Sequence, residues 1–509
     1  MAEPTMKKTL GLTGVTVNAM ALIAPGAFLW ISYQIQASNN GGDTDMWTGI
    51  VAALVVAFLT AIAFSELARK YPEAGAGGSY YFAERAFLDK DNTAHHRFAR
   101  MAKFLTGWAA HLFYWVYPGV MVAMMAILVT YIFSQFGITL SIPMQIGVAV
   151  LFSVFVGFIA VRGISGSTNV AIVINVIQLV SLVGFAILAI MFRIQNPLHA
   201  VHWAHPSPGS IVFPHSLSAM LFQSTIAILI LVGFESSTSL AGEAKNAKRD
   251  IPRGVILSLV IQGLFAYLFE YFAANYAISE KLVFVTPDGK TLTGIAAAAA
   301  SGAPIGDLTR LIGDSMLGGN GFALMIVIAF TVALAVLGTT LAAMNTAVRI
   351  SFAMAQDEEM PSILGALHER HATPHMGVWM LVGVSAILGS VGVLSVTALT
   401  GITLASNIGT FILYALICVF TFITFIGRNE FSVIKHAIIP FLGTIGNVGL
   451  LIAIVFIGLT TPGVSQDATQ MALYITIGWG IISVGYLVWN SKRNGKRILP
   501  RVHVVSKTT

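Results

Sequence analysis

Long apolar runs recur along the whole chain, and they constrain its fold more than any other feature. A helix needs about 20 mostly apolar residues to cross a bilayer, because no water in the hydrocarbon core can satisfy the backbone. Of the 509 residues, 56% are hydrophobic and only 10% are charged, whereas about a quarter of the residues in a soluble domain are charged. These features predict an all-α polytopic membrane protein.

Twelve membrane spans are predicted from the apolar runs and the polar, charged or Gly/Pro breaks between them. A transmembrane β-barrel would instead show alternating segments of about ten residues, and we find none that persist. The predicted spans are 13–35, 47–68, 104–133, 142–161, 168–192, 216–242, 253–277, 321–352, 376–394, 397–425, 436–459 and 470–490.

The basic residues predict the orientation of these spans. With the N-terminus inside, the Lys and Arg residues on the outer side are only Arg193, Lys281, Lys290 and Arg310. By the positive-inside rule, both termini are therefore expected in the cytoplasm and the spans in the plasma membrane. The topology accounts for the excess of basic residues behind the formal charge of +6. This charge therefore does not indicate a nucleic acid partner.

Two spans, five positions apart, carry helix-breaking residues at mid-membrane. Span one contains Pro25 and Gly26 in NAMALIAPGAFLW, and span six contains Gly233 in ILILVGFESS. Because five spans per unit is an odd number, a second copy would enter the membrane from the opposite side, and paired breaks of this kind mark a transporter's binding site. The predicted organisation is a tail at 1–12, repeats at 13–192 and 216–425, two further spans at 436–490 and a basic tail at 491–509.

Three polar stretches resemble those of the amino acid–polyamine–organocation permeases. They are GFESSTSLAGEAKNAKRDIPRGV (233–255), SELARKYPEAGAGGSYYFAERAF (65–87) and RISFAMAQDEEMPSILGALHERHATP (349–374). The resemblance implies a leucine-transporter-like fold, a 5+5 inverted repeat with broken helices 1 and 6 around a central site. It also implies a permease, which moves amino acids, polyamines or related amines by proton symport or exchange, and not an enzyme.

The same resemblance assigns the substrate site to the two breaks. A broken membrane helix frees backbone N–H and C=O groups, which are tolerated where they line a cavity or meet a ligand. Freed amides attract a carboxylate and freed carbonyls attract an ammonium. By motif position, the substrate-binding residues are Ile23, Ala24, Pro25, Gly26 and Ala27 in span one, and Ile230, Leu231, Val232 and Gly233 in span six.

The first break departs from the glycine-x-glycine pattern of the family, because it is Ala24-Pro25-Gly26. Proline has no N–H and cannot donate to a substrate carboxylate, which favours amines without a carboxylate, such as putrescine. In the alternative interpretation, Pro25 only kinks the helix while Gly26 and Ala27 donate. The substrate is then an amino acid with a neutral or hydrophobic side chain.

Glu235 is the candidate proton-coupling residue. A charged group at the centre of a membrane helix costs from about 2.5 kcal/mol upwards, so its carboxyl group is expected to be neutral, paired or facing water. In the alternative interpretation, a protonated Glu235 is a hydrogen-bond partner that props the break open.

Four further polar residues lie inside apolar runs. Tyr114 is similar to a substrate-facing family position, where a phenol can hydrogen-bond or stack on a cation. Ser406 is a second candidate contact, although helix–helix hydrogen bonding explains it equally well. His111 is interpreted as a satisfied core histidine, and Glu270 is expected near the outer interface, facing water.

No metal site, cofactor or enzymatic centre is expected. The run HERHATPH (368–375) lacks the HExxH spacing of zinc enzymes, and no phosphate-binding loop occurs. The expected partners are a small-molecule substrate, H⁺ and membrane lipid, and the sequence predicts no oligomeric state. In the outer segment 301–319, Asp307 is placed to cap a short helix.

Overall fold

The computed structural model shows a helical bundle of the membrane-spanning kind. Within its described residues, eleven helices are long and apolar enough to cross a membrane, and Leu12–Ile23 is a shorter apolar helix. The predicted twelve-helix, multi-pass architecture is thereby confirmed. The structure describes residues 8–24, 27–73, 77–90, 93–162, 168–371, 373–495 and 498, so Pro25 and Gly26 lie outside the described residues.

The first half of the chain forms the first five predicted spans and one helix, α4, on the polar segment after span two. Span one is divided between α1 and α2, and each of the other four spans is a single helix. The elements are α1 (Leu12–Ile23), α2 (Leu29–Ala37), α3 (Met46–Lys70), α4 (Ser79–Leu88), a 3₁₀ helix (Thr93–Phe98), α5 (Ala99–Gln135), α6 (Ile142–Val161) and α7 (Thr168–Gln195).

Predicted spans six and seven are each built from several helical pieces, among them two 3₁₀ helices and a π-helix. The segment that follows them contains an antiparallel hairpin and two short helices. The elements are α8 (Gly209–Val212), α9 (Leu217–Ala227), 3₁₀ helices (Ile228–Ile230, Phe234–Leu240), α10 (Ala247–Leu259), a π-helix (Val260–Tyr267), α11 (Leu268–Ala277), β1 (Val283–Val285), β2 (Thr291–Thr293), α12 (Gly294–Ala300) and α13 (Pro304–Met316).

Five long helices complete the bundle. A π-helical turn (Val433–Ile438) precedes the fourth of them. They are α14 (Gly321–Gln356), α15 (His375–Gly392), α16 (Val396–Phe425), α17 (Ile439–Thr460) and α18 (Val464–Arg493), with a 3₁₀ helix at Ser362–Gly365.

Helix α5 is central in the bundle, because α4, α14, α15 and α16 all pack on it. Its middle carries a continuous series of buried residues from Thr106 to Ala126. Large apolar side chains are exposed on α6, α7, α17 and α18, for example Leu151, Val180, Phe456 and Tyr474. These helices therefore form the surface that contacts lipid hydrocarbon.

One expectation for the outer segment is wrong. The N-cap residue of α13 is Ala303, and Asp307 is in the first turn of the helix. The Asp307 carboxylate instead accepts hydrogen bonds from the Ser301 hydroxyl at 2.5 Å and the Tyr131 hydroxyl at 2.9 Å. Asp307 therefore ties α13 to the end of α5 rather than capping its own helix.

Candidate functional site

The end of α1 and the interruption of span six lie against each other. Gly233 has φ of +125°, and a Cβ added to it would lie 2.8 Å from Ile23 Cγ1 and 3.0 Å from Leu22 Cβ. Ile23, Ile230, Leu231 and Val232 are all fully buried. The structure thus packs Gly233 of span six closely against Leu22 and Ile23 of span one.

A buried carboxyl group lies beside this point. Glu235 is 3% exposed, and its Oε1 accepts a hydrogen bond from the Tyr114 hydroxyl at 2.8 Å. Its Oε2 accepts from the Tyr414 hydroxyl at 2.7 Å and from the Gly233 N–H at 2.9 Å. Among the described residues no Lys, Arg or His lies within ion-pair distance of it. The carboxyl group is therefore solvated by protein dipoles rather than by a counter-charge.

The two tyrosines that hydrogen-bond to Glu235 pack against further aromatic rings. Phe64, Phe234 and Tyr414 contact one another with ring centroids 5.4–6.0 Å apart. The Phe113 ring lies 4.2 Å from that of Tyr114. The site is thus a small acidic centre in an apolar surround, which suits the ammonium group of a substrate or a proton.

The carbonyl groups at the end of α1 have donors from three neighbouring elements. The Met20 carbonyl also accepts the Ala24 N–H at 2.9 Å, whereas the carbonyls nearer the helix end lack an i+4 partner because the helix ends at Ile23. The donors are Gln262 Nε2 to Met20 (3.0 Å), Thr339 Oγ1 to Ala21 (2.9 Å), Tyr117 OH to Leu22 (3.4 Å), and Tyr267 OH to Ile23 (2.9 Å) and Ala24 (2.7 Å).

Removing the Tyr267 hydroxyl is expected to destabilise this end of α1. The Ala24 carbonyl would keep the Ala27 N–H at 3.1 Å, but a Tyr267→Phe protein would lose the donor to Ile23. A buried group deprived of its partner costs about 1–3 kcal/mol. Thermal unfolding in detergent should show a lowered midpoint, whereas Tyr474→Phe on the exposed surface of α18 should leave it unchanged. Equal midpoints for the two variants would contradict the assigned role.

Of the remaining predicted site residues, Pro25 and Gly26 lie outside the described residues. Ala27 is buried, and the Ser406 hydroxyl on α16 donates to the Phe113 carbonyl at 3.4 Å, so Ser406 is placed against α5. Sequence reasoning missed Tyr414 and Tyr267, which lie in apolar runs with other aromatic residues. Only their hydroxyl groups distinguish them there.

Two other polar residues in the spans differ in how well their side chains are satisfied. His111 Nδ1 lies 2.6 Å from the Gly107 carbonyl and Nε2 lies 2.9 Å from Ser351 Oγ, which fits a satisfied core histidine. The expectation that Glu270 faces water is wrong, because the residue is fully buried. Neither of its carboxyl oxygens has a hydrogen-bond partner within the described part of the chain.

At the end predicted to be cytoplasmic, span one and span six are tied together. The Thr9 and Leu10 N–H groups both donate to the Glu243 carbonyl at 3.0 Å, and the Lys245 N–H donates to the Leu10 carbonyl at 2.8 Å. The Glu243 carboxylate pairs with Arg349 of α14 at 2.9 Å. These contacts close the bundle at this end.

A cavity of about 520 Å³ lies at the opposite end, between α2, α5, α13 and the loop before α16. Gln34, Tyr131, Asp307 and Ser395 are among its lining residues. Burial raises the pKa of the Asp307 carboxyl group, and the bonds from Ser301 and Tyr131 oppose this shift.

The histidine run after α14 forms a compact cluster of rings. The His368 ring lies 4.8 Å from that of His371 and 5.4 Å from that of His375, measured between centroids. His368 Nδ1 accepts the backbone N–H groups of Arg370 and His371. Across the described ranges, no group of three or more His, Cys, Asp or Glu side chains is arranged to hold a metal ion.

Comparison with known proteins gives one family match and several distant relatives. A family model described as amino acid permease matches residues 8–482. The low-affinity putrescine importer PlaP of Escherichia coli is 25% identical over 384 residues, which are 75% of this chain and 74% of PlaP.

Two other similar proteins are named for amino acids. The branched-chain amino acid permease BcaP of Bacillus subtilis is 24% identical over 441 residues, 82% of this chain and 81% of BcaP. The L-methionine/branched-chain amino acid exporter YjeH of Escherichia coli is 29% identical over 261 residues, 51% of this chain and 54% of YjeH.

Proposed function

Because the chain belongs to the amino acid permease family, we propose that it is a secondary active transporter that moves amino acids across the plasma membrane by alternating access. Transport is coupled to protons by symport or exchange, and Glu235 carries the proton. The two five-span units at 13–192 and 216–425 are inverted repeats, and both termini are cytoplasmic. The protein is a membrane transporter, not an enzyme.

The observation that carries this proposal is the environment of Glu235. Its carboxyl group is buried in span six and accepts hydrogen bonds from two tyrosine hydroxyls and from the Gly233 amide. A carboxylate in such a place is costly unless it takes up a proton or meets a cation. Either event would alter the bond to Gly233, so protonation and the conformation of the break are linked.

The two ends of the bundle support an alternating-access cycle. The end predicted to be cytoplasmic is closed by the Arg349–Glu243 ion pair and the contacts of Thr9 and Leu10, whereas the opposite end contains the large cavity beside Asp307. Rocking of spans one, two, six and seven against the others would exchange these arrangements. Substrate would then reach Glu235 from one side at a time.

A putrescine-like amine is the second candidate substrate. The Gly233 N–H, which a substrate carboxylate would need, already donates to Glu235. Pro25 has no N–H to offer. An acidic, aromatic centre is also suited to an ammonium group, and PlaP is named a putrescine importer. These features favour an amine whose binding does not require a carboxylate.

Two pairs of matched ligands are expected to distinguish the two candidate substrates. Ornithine and putrescine differ by one carboxyl group, as do leucine and 3-methylbutylamine. In proteoliposomes containing a labelled substrate, an amino acid transporter should be inhibited at least about tenfold better by the carboxylated member of a pair, since a site built to hydrogen-bond a group rejects the analogue that lacks it. A diamine transporter should show the opposite order.

The same vesicles test the carrier mechanism. Uptake should saturate with substrate and should be stimulated by unlabelled substrate on the other side of the membrane. Flux that neither saturates nor shows this stimulation would indicate a channel and would contradict the proposal.

A further inference from the structure

Two cavities lie side by side where α16 ends and the π-helical turn Val433–Ile438 begins. The first, of about 430 Å³, includes Phe425 and His436 in its wall. The second, of about 400 Å³, includes Phe422 and Ile438. Each cavity is lined by residues of α16 and of the same π-helical turn, so both lie at this junction.

The first cavity carries an excess of positive charge. Four of its lining residues, Arg69, Lys70, Lys248 and Lys435, are basic, and Glu66 and Glu430 are acidic, so 4 − 2 leaves two positive charges. The acids are paired within the cavity: Glu430 with Lys70 at 3.0 Å, and Glu66 with Arg69 at 3.4 Å, Lys435 at 3.6 Å and His436 Nε2 at 3.5 Å. The surplus is suited to one phosphate group.

One wall of the first cavity is aromatic. The His436 ring is stacked on that of Phe425, with centroids 3.7 Å apart and an angle of 4° between the rings. His436 is 4% exposed, and its Nδ1 accepts the Ser432 N–H at 2.9 Å. These contacts fix this wall in place and give the first cavity a preformed shape.

The second cavity is an apolar groove on the lipid-facing surface. Its lining includes Val419, Phe422, Ile438 and Phe441, whose side chains are 38–64% exposed. Large apolar side chains with such exposure on a membrane helix contact hydrocarbon chains. The groove therefore faces the apolar part of the bilayer, one turn of α16 away from the Phe425 wall of the charged cavity.

We propose that the two cavities together bind one anionic phospholipid, with its phosphate in the charged cavity and an acyl chain in the apolar groove. Basic pockets between membrane helices at the cytoplasmic side are suited to anionic headgroups. The positive surplus disfavours the cationic end of a transported amine. The lipid connects α3 and the segment that begins α10 with α16 and α17, and so stabilises the packing of spans two and seven on spans ten and eleven.

The test measures thermal unfolding of the purified protein in detergent during titration with lipid. Phosphatidylglycerol should raise the unfolding midpoint in a saturable way, whereas phosphatidylcholine and inorganic phosphate should leave it unchanged. In a Lys248→Gln/Lys435→Gln protein, the apparent affinity for phosphatidylglycerol should fall about tenfold or more, because each basic residue near a lipid headgroup is worth about 1 kcal/mol.

Two further variants complete the test. Ala437→Phe fills the apolar groove without changing charge and should also weaken the lipid effect. Lys492→Gln/Arg493→Gln removes two basic residues from the end of α18 and should not. An equal effect of phosphatidylcholine, an effect of inorganic phosphate as large as that of the lipid, or unchanged affinity in the Lys248→Gln/Lys435→Gln protein would overturn the proposal.

Discussion

Replacing Glu235 by glutamine is expected to abolish substrate accumulation driven by a pH gradient, while exchange of substrate across the membrane continues. A gradient of one pH unit supplies about 1.4 kcal/mol per proton and so supports at most about tenfold accumulation when one proton accompanies each substrate. The amide has nearly the same shape as the carboxylic acid but cannot take up or release a proton. The expected accumulation ratio of the Glu235→Gln protein in proteoliposomes is therefore about one.

The matched control is Glu270→Gln, which changes the other fully buried glutamate of spans six and seven. Glu270 lies on α11 and has no hydrogen bond to either interrupted segment among the described residues. Accumulation should persist in this variant. If Glu235→Gln accumulated substrate normally and Glu270→Gln did not, the coupling role would belong to Glu270 and the assignment to Glu235 would be wrong.

The hydroxyl groups that hold Glu235 make separate, smaller contributions. Tyr114→Phe and Tyr414→Phe each remove one of its donors, but neither removes the titratable group. A hydrogen bond to a charged group is worth about 1.5–3 kcal/mol, so each change should shift the pH dependence of uptake without abolishing coupling. This distinction separates a group that carries the proton from the groups that solvate it.

Much of the helical architecture could be predicted from the sequence, because each span must bury its backbone within one continuous apolar run. The hairpin β1–β2 and helix α12 were missed, since they are short elements in the segment between predicted spans seven and eight and show little periodicity. The true start of α5 at Ala99 and of α18 at Val464 was also missed. The helices extend into polar residues beyond the membrane, where hydropathy carries no signal.

Site residues could be predicted from the sequence only where they interrupt an apolar run. A glutamate after a glycine in an apolar run identified Glu235 and Gly233, because both are unusual in hydrocarbon. Tyr414 and Tyr267 gave no such signal, since tyrosine is common in membrane helices. Their roles depend on which helices pack together, and this information is spread over residues more than 100 positions apart.

In the proposed mechanism, Glu235 links protonation to the conformation of both interrupted spans. Its Oε2 holds the Gly233 amide, and the Gly233 Cα lies against Leu22 and Ile23. A change in the charge of this carboxyl group would therefore alter the conformation of span six directly and that of span one through packing. The close approach of the two segments is possible only because residue 233 has no side chain.

Replacing Gly233 by alanine is consequently expected to have the second large effect. The backbone at this residue has φ of +125°, a conformation that costs a residue with a Cβ about 1–3 kcal/mol. The new Cβ would also lie 2.8 Å from Ile23 Cγ1, and overpacking of this kind costs about 1–3 kcal/mol. A Gly233→Ala protein should unfold at a clearly lower temperature in detergent and should lose transport.

The matched control is Gly449→Ala in α17, where an added Cβ meets no atom within 4 Å. Alanine is favoured over glycine in a helix by about 0.5–1 kcal/mol, so this variant should be as stable as the parent or slightly more so and should transport normally. Two glycines in membrane spans thus have opposite expected responses to the same added methyl group. If Gly233→Ala matched Gly449→Ala in stability and uptake, the close packing of span one on span six would not be needed for transport. The proposed link between Glu235 and span one would then be wrong.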